Sequence, residues 1–204
     1  MVAKTDLRTN DTKERILKEA ERLYQAGGYS HMGLDQIAKS LNITRPALYH
    51  HFPGGKEELL VKMIEAFTCE KVAEWYAMIE EGQDSRSRFK FMLQSTIKQP
   101  LLDCKRMACT EVDQLDAQTR WVLHSSMERV HQVVQRVFEE GIKRGELRPV
   151  ESNLAFFSFM SLCEQVGTIV VVREQFPDAF CGLDSTENLI DKTLDLWLYG
   201  LAKA

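Results

Sequence analysis

Apolar residues at Ile16, Leu17, Ala20, Leu23 and Tyr24 share one face of a helix. Asp11, three residues ahead of Glu14, predicts a capping-box start for that helix. Gly27-Gly28 predicts its end, since glycine readily takes the left-handed cap conformation. Leu34, Ile37, Ala38 and Leu41 fall at i, i+3, i+4 and i+7 and predict a second, short helix. Asn42 tolerates positive φ and suits a tight turn, Ile43 is an apolar plug, and Thr44 is a good N-cap for a third helix with Pro46 in its first turn. Pro53-Gly54-Gly55 closes that helix. A long amphipathic helix then starts near Lys56 and carries Leu59, Leu60, Met63, Ile64, Phe67, Val72, Trp75 and Ile79 before Gly82.

Beyond residue 82 the periodicity stays helical and never alternates. Helices are predicted over 85–99, over 110–145 with a break at 116–119, and over 153–173 and 185–203. The predicted fold class is all-α with about nine helices: a three-helix head at 1–55 and a helical body at 56–204, joined by the connector helix at about 56–82. The apolar run at 154–172 is interrupted by Glu164, Gln165 and several hydroxyl side chains, so a buried helix is expected rather than a membrane span. The first residues hold no signal-like apolar run, which makes the cytoplasm the default expectation.

Composition sharpens this picture modestly. Hydrophobic residues make up 44% and charged residues 27%, as in a globular protein. The net charge of -4 is unevenly spread: residues 1–55 carry eight cations against six anions, leaving 18 cations and 24 anions of the totals of 26 and 30 for the rest. A slightly basic head on an acidic body suits a nucleic-acid-binding module joined to a part that should not touch nucleic acid. The five cysteines are scattered, and reduced thiols are expected, with a Cys104–Cys109 redox pair as the alternative. Neither a phosphate-cradling glycine loop, nor H-E-x-x-H, nor a nucleophile elbow is present, so no enzymatic activity and no cofactor is expected. His124 and His131 are seven apart, wider than helical metal pairs prefer, and no metal site is expected.

Two short helices closing on Asn42, with small Ala38 at the crossing, let the second project from the surface, where it fits a major groove. Leu48 and Phe52, spaced i, i+4, would face the core, leaving Arg45, Ala47, Tyr49 and His50 toward solvent or DNA. Arg45 has the chemistry to pair with guanine O6 and N7, and Ala47 to touch a thymine methyl. Thr44, the exposed N–H groups beside it and the Tyr49 hydroxyl suit phosphates. Lys56 stands against the helix dipole, a conflict that a phosphate would resolve. Singly, Thr44 could equally be only a cap, Tyr49 a surface aromatic and Lys56 a solvated lysine.

Residues 12–65 resemble the DNA-binding domain of the TetR family of bacterial regulators. The resemblance is carried by Ile37-Ala38-Lys39-Ser40-Leu41-Asn42-Ile43-Thr44-Arg45-Pro46-Ala47-Leu48-Tyr49-His50-His51-Phe52 and by Lys56-Glu57-Glu58-Leu59. It implies that Thr44, Arg45, Ala47, Tyr49, His50 and Lys56 lie at DNA-contacting positions. The sequence departs from that pattern at Met32-Gly33, at Asn42 in place of a turn glycine, and at Gly54-Gly55, one residue longer than the frequent form.

The resemblance further implies pairing through the last two helices, here with Phe156, Phe159, Leu194, Trp197 and Leu201 as interface candidates, although an intramolecular core explains the same stripe. It implies a ligand cavity, for which Trp75, Phe89, Met92, Trp121, His124, Met127, His131 and Cys163 are lining candidates. Glu164, inside an apolar stretch, is expected to be buried and to meet either a protein donor or a cationic ligand. The expected partners are double-stranded operator DNA, a second copy of the chain and an unidentified small-molecule effector, with no membrane. The expected function is a ligand-responsive repressor that binds a palindromic operator as a dimer and is released by a small molecule. A helical protein-interaction adaptor and an activator of the same fold are the alternatives.

Overall fold

The computed structural model describes residues 3–98, 111–176 and 185–200, and every regular element among them is helical. The helices are α1 (Ala3–His31), α2 (Leu34–Ser40), α3 (Arg45–His51), α4 (Gly55–Glu80), α5 (Ser85–Lys98), α6 (Ala117–Lys143), α7 (Ser152–Gln175) and α8 (Thr186–Tyr199), with one 3-10 turn at Val112–Gln114. Cys104, Cys109 and Leu201 lie outside the described residues.

The first helix begins earlier than its cap pattern predicts. No glycine or proline stands between residues 3 and 26 to stop it, so Asp11 sits within a helix already under way. Its far end is as expected. Gly28 takes φ 76°, the regular helix breaks across Gly27-Gly28, and one more turn leads to His31. The break before α6 falls as predicted, where Asp116 accepts the Thr119 backbone N–H at 2.7 Å as an N-cap.

The chain forms two compact units, Met1–Glu70 with Leu102–Glu128, and Lys71–Leu101 with Arg129–Ala204. The first of them runs past residue 55 into α4. Leu59, Leu60, Met63 and Ile64 of α4 are buried with Ile16, Leu23, Ile37, Leu48 and Phe52 in one cluster, which Leu115 and Val122 also enter. The head therefore includes the first half of α4 and the segment leading into α6.

In the second unit Phe89, Phe138, Phe159 and Trp197 pack with ring centroids 4.9 to 6.0 Å apart. Two buried cations are tied into this core. Arg88, 1% exposed, donates to Glu140 at 2.7 Å and to the Ile79 carbonyl at 2.9 Å. Lys71 donates to Ser95 Oγ at 2.7 Å and to Glu74 at 3.2 Å. Arg86 and Lys90 of α5 pair with Asp191 and Asp195 or Glu187 of α8.

Phe156 and Phe159 of α7 and Leu194 of α8 are buried in this unit, and the half-buried Trp197 donates its indole N–H to Ser158 Oγ at 2.7 Å. These interface candidates are core residues; the intramolecular alternative describes them. The apolar groups left outside are Leu154, Phe157 and Val171 on α7 and Leu196 and Tyr199 on α8. Glu164 is exposed, not buried. It stands seven residues, close to two turns, after the 63%-exposed Phe157, and so shares its outward face. By length and composition α7 is apolar enough to cross a membrane, yet it gives Phe156, Phe159, Leu162 and Val166 to the core.

Candidate nucleic-acid interface

The turn between α2 and α3 is built by Asn42, whose φ of 53° is the one left-handed non-glycine conformation among the described residues. The Ile43 N–H donates to the Ala38 carbonyl at 2.9 Å, closing the turn. Thr44 then caps α3, its hydroxyl oxygen accepting the Ala47 N–H at 3.3 Å, with Pro46 in the first turn where its missing N–H costs nothing. The Thr44 hydroxyl keeps its own proton to donate elsewhere.

Helix α3 divides its faces as its spacing predicts. Leu48 and Phe52 are fully buried, while Arg45, Tyr49 and His50 are exposed and Ala47 is half-exposed. Arg45 is not free: its guanidinium meets Asp35 of α2 at 3.3 Å and lies 5.8 Å from the Tyr49 ring centroid. A hydrogen bond with Tyr49, and then the charge of Asp35, hold its proton more firmly than usual. The rings of His50 and His51 meet edge to face at 5.6 Å. Burial, then the neighbouring charges of His50 and Lys13, lower the pKa of His51.

The lengthened turn resolves at Gly55, which is buried with φ 67°. A β-carbon there would lie 3.4 Å from the Tyr49 ring, so glycine serves both the backbone and the packing. Glu58 accepts the Gly54 N–H at 2.8 Å, supplying a cap at the start of α4.

Lys56 follows in the first turn. Its ammonium stands 4.0 Å from the centroid of the Tyr29 ring, within cation–π range. Burial lowers its pKa, opposed by the charges of Glu111 and Glu57. The conflict with the helix dipole, which the sequence pattern leaves for a phosphate to resolve, is thus partly met inside the protein.

Sequence reasoning missed Tyr29 and Glu111. Glu111 is 4% exposed and accepts the Tyr29 backbone N–H at 2.7 Å and the Tyr24 hydroxyl at 3.1 Å. Nearby, Thr119 of α6 donates its hydroxyl to Glu57 of α4. Burial, then the charge of Glu57, push the Tyr29 hydroxyl up to about 12. No local signal marks these partners, because Glu111 stands 82 residues from Tyr29 and 87 from Tyr24.

The nine pocket candidates, the exposed Glu164 of α7 among them, divide between the two units. Trp75, Phe89, Met92 and Cys163 are buried in the second unit, where burial pushes the Cys163 thiol up to about 12 and leaves it inert. His131 is half-buried in that unit with its ring 4.6 Å from Phe156. Met127 is half-buried in the first unit, where Trp121, 68% exposed, and His124 face outward. A cavity of about 730 Å³ in the second unit is lined by Arg86, Phe138, Arg148, Leu154, Trp197 and Tyr199 among others.

Residues 16–63 match the model of the tetR family of bacterial regulatory proteins. The sequence is 46% identical over 54 residues to the HTH-type transcriptional regulator LmrA of Bacillus subtilis, a stretch that is 26% of this chain and 29% of LmrA. It is 40% identical over 53 residues to the biofilm operon icaADBC HTH-type negative transcriptional regulator IcaR of Staphylococcus epidermidis, 26% of this chain and 28% of that one. The likeness thus spans under a third of the length of each of these two relatives. The fold as a whole is similar to that of the transcriptional regulator FadR from Bacillus subtilis, whose crystal structure is a complex with stearoyl-CoA. The TM-score is 0.71 at 17% identity, covering 93% of this chain and 99% of that one.

Proposed function

By its N-terminal domain the chain belongs to the tetR family of bacterial regulatory proteins, and from that premise we propose that it is a repressor. It binds a palindromic operator as a homodimer and is released by a small molecule. The observation that carries this reading is the division of α3, with Leu48 and Phe52 anchored in the core and Arg45, Tyr49 and His50 presented outward. A seven-residue helix so anchored offers a rigid outer face for a major groove.

Arg45 and Ala47 read bases, and Thr44, Tyr49, His50 and Lys56 hold phosphates. Negative regulation is supported by the similarity of the head to IcaR. Homodimerisation is supported by the outward apolar groups Leu154, Phe157 and Val171 of α7 with Leu196 and Tyr199 of α8, which pair isologously with the same face of a second copy. Two copies then set their α3 helices in successive major grooves about 34 Å apart. The effector is bound by the second unit, which holds a cavity of about 730 Å³; that such a fold can take a small-molecule ligand is supported by FadR, a fold relative whose crystal structure is a complex with stearoyl-CoA. It acts by favouring the DNA-incompetent state, since equal affinity for both states shifts nothing.

The test measures fluorescence anisotropy of a duplex from the region upstream of the protein's own coding sequence, against a random duplex, for wild type and Arg45→Ala. The repressor reading expects tight wild-type binding to the upstream duplex and a loss of about 1–3 kcal/mol of discrimination in the variant. Equal affinity for both duplexes in both proteins ends the reading, and no binding at all favours a protein-interaction adaptor.

A further inference from the structure

A buried carboxylate in a DNA-binding head is an expense unless it holds something in place. Glu111 is such a group, and nothing in the readout by α3 uses it. The regular part of α1 stops at Gly27-Gly28, where Gly28 turns to φ 76° and ψ -167°. The Tyr29 N–H thereby loses the carbonyl that a continuing helix would supply. Glu111 takes that place with one oxygen at 2.7 Å and binds the Tyr24 hydroxyl with the other at 3.1 Å. Both donors belong to α1, and the acceptor comes from the segment that leads through Val112–Gln114 into α6. Tyr29, so fixed, carries the Lys56 ammonium 4.0 Å from its ring centroid.

We propose that Glu111 is a positioning residue for DNA binding: from outside the helix-turn-helix, it fixes Tyr29 and through it the phosphate-contacting ammonium of Lys56. The inference rests on the DNA-binding reading above. It adds that the start of α6 and the Lys56 contact are joined through one side chain, so that movement of the segment carrying Glu111 withdraws Lys56 from the phosphate. The charged groups facing Lys56 are Glu57 of its own helix and Glu111.

The test compares wild type, Glu111→Gln, Lys56→Ala and the double variant, each titrated with salt on a random 24-base-pair duplex. Removing an anion beside DNA would by charge alone tighten binding. A positioning role predicts the opposite: affinity about tenfold weaker in Glu111→Gln, and a log–log salt slope lower by about 1 per head. It also predicts that Glu111→Gln adds nothing once Lys56 is alanine. Unchanged or tighter binding by folded Glu111→Gln overturns the proposal, as does a full additional loss in the double variant. If Glu111→Gln does not fold, Tyr29→Leu keeps the backbone N–H but removes the ring and must reproduce the flattened slope; a wild-type slope there also overturns it.

A second readout needs no DNA and so separates this inference from the function it rests on. The pH dependence of Lys56 acylation by acetic anhydride, followed by mass spectrometry, gives the pKa of its amine. Loss of the Glu111 charge in a folded head shifts that pKa further down, whereas general loosening returns it toward the ordinary lysine value. A return toward the ordinary value, or no shift, counts against Glu111.

Discussion

The two units keep buried charge in opposite ways. In the second, Arg88 and Lys71 are cations held from several sides by two carbonyls, a hydroxyl and carboxylates, and they tie α4, α5 and α6 of that unit together. In the first, Glu111 is a carboxylate held by a backbone N–H and a phenol, and beyond Tyr29 it leads to the partly exposed Lys56. A cation ringed by partners on neighbouring helices fastens a core. A single carboxylate between the segment leading into α6 and a surface contact would, in the proposed scheme, transmit position. The contrast separates charges held from several helices from one that links a segment to a contact through a single side chain.

The largest expected effect tests the second unit. Arg88→Ala takes the buried donor from the Ile79 carbonyl and leaves a cavity where a fully buried side chain stood, while Glu140 keeps Arg136, and it should destabilise the second unit by about 3–5 kcal/mol. Urea unfolding followed by fluorescence of Trp75 and Trp197 reads this, with Trp121 replaced by Phe to silence the head; a change under about 1 kcal/mol would erase the distinction. Leu48→Ala should cost about 3 kcal/mol, but in the head, with amide exchange rising in residues 16–64 and staying unchanged in α7 and α8. Matching exchange increases in both units would mean that they unfold as one. Thr44→Ala removes the α3 cap and should cost about 1 kcal/mol, read by exchange of the Ala47 amide.

The smallest effect is one of pH. His51 has a lower pKa in the folded head than in the unfolded chain, so the unfolded chain binds its proton more readily. Stability contributed by this residue is therefore complete above the ordinary histidine value near 6.5 and declines as pH falls through it. His51→Phe should flatten the melting temperature of the head between pH 7 and 5 relative to wild type.

The helix-turn-helix was legible because its information is local. Seven residues fix each of α2 and α3, and Asn42 and Thr44 announce their turn and cap through their own chemistry. The reading failed where a periodic stripe admits two partners. Phe156 and Phe159 face inward and Phe157 outward on one apolar helix, and nothing in the local sequence tells core from outer face. Glu164 was misjudged for the same reason: apolar neighbours in sequence are not its neighbours in space. Nor does the local pattern of α4, which looks like one connector from residue 55 on, show that its first half packs in the head's core. Glu111, Tyr24 and Tyr29 were beyond reach, since their meeting depends on the tertiary fold alone.

The exposed pair between Arg45 and Asp35 bears on how such a head would search a chromosome. With its guanidinium parked on a carboxylate of its own protein, the proposed reading side chain would catch less on each passing base edge. Sliding along phosphates would then meet a smoother path, and Arg45 would leave its berth for a guanine that offers two acceptors at once. Asp35, which contacts no base in this scheme, would set the balance between speed of search and depth of the final stop.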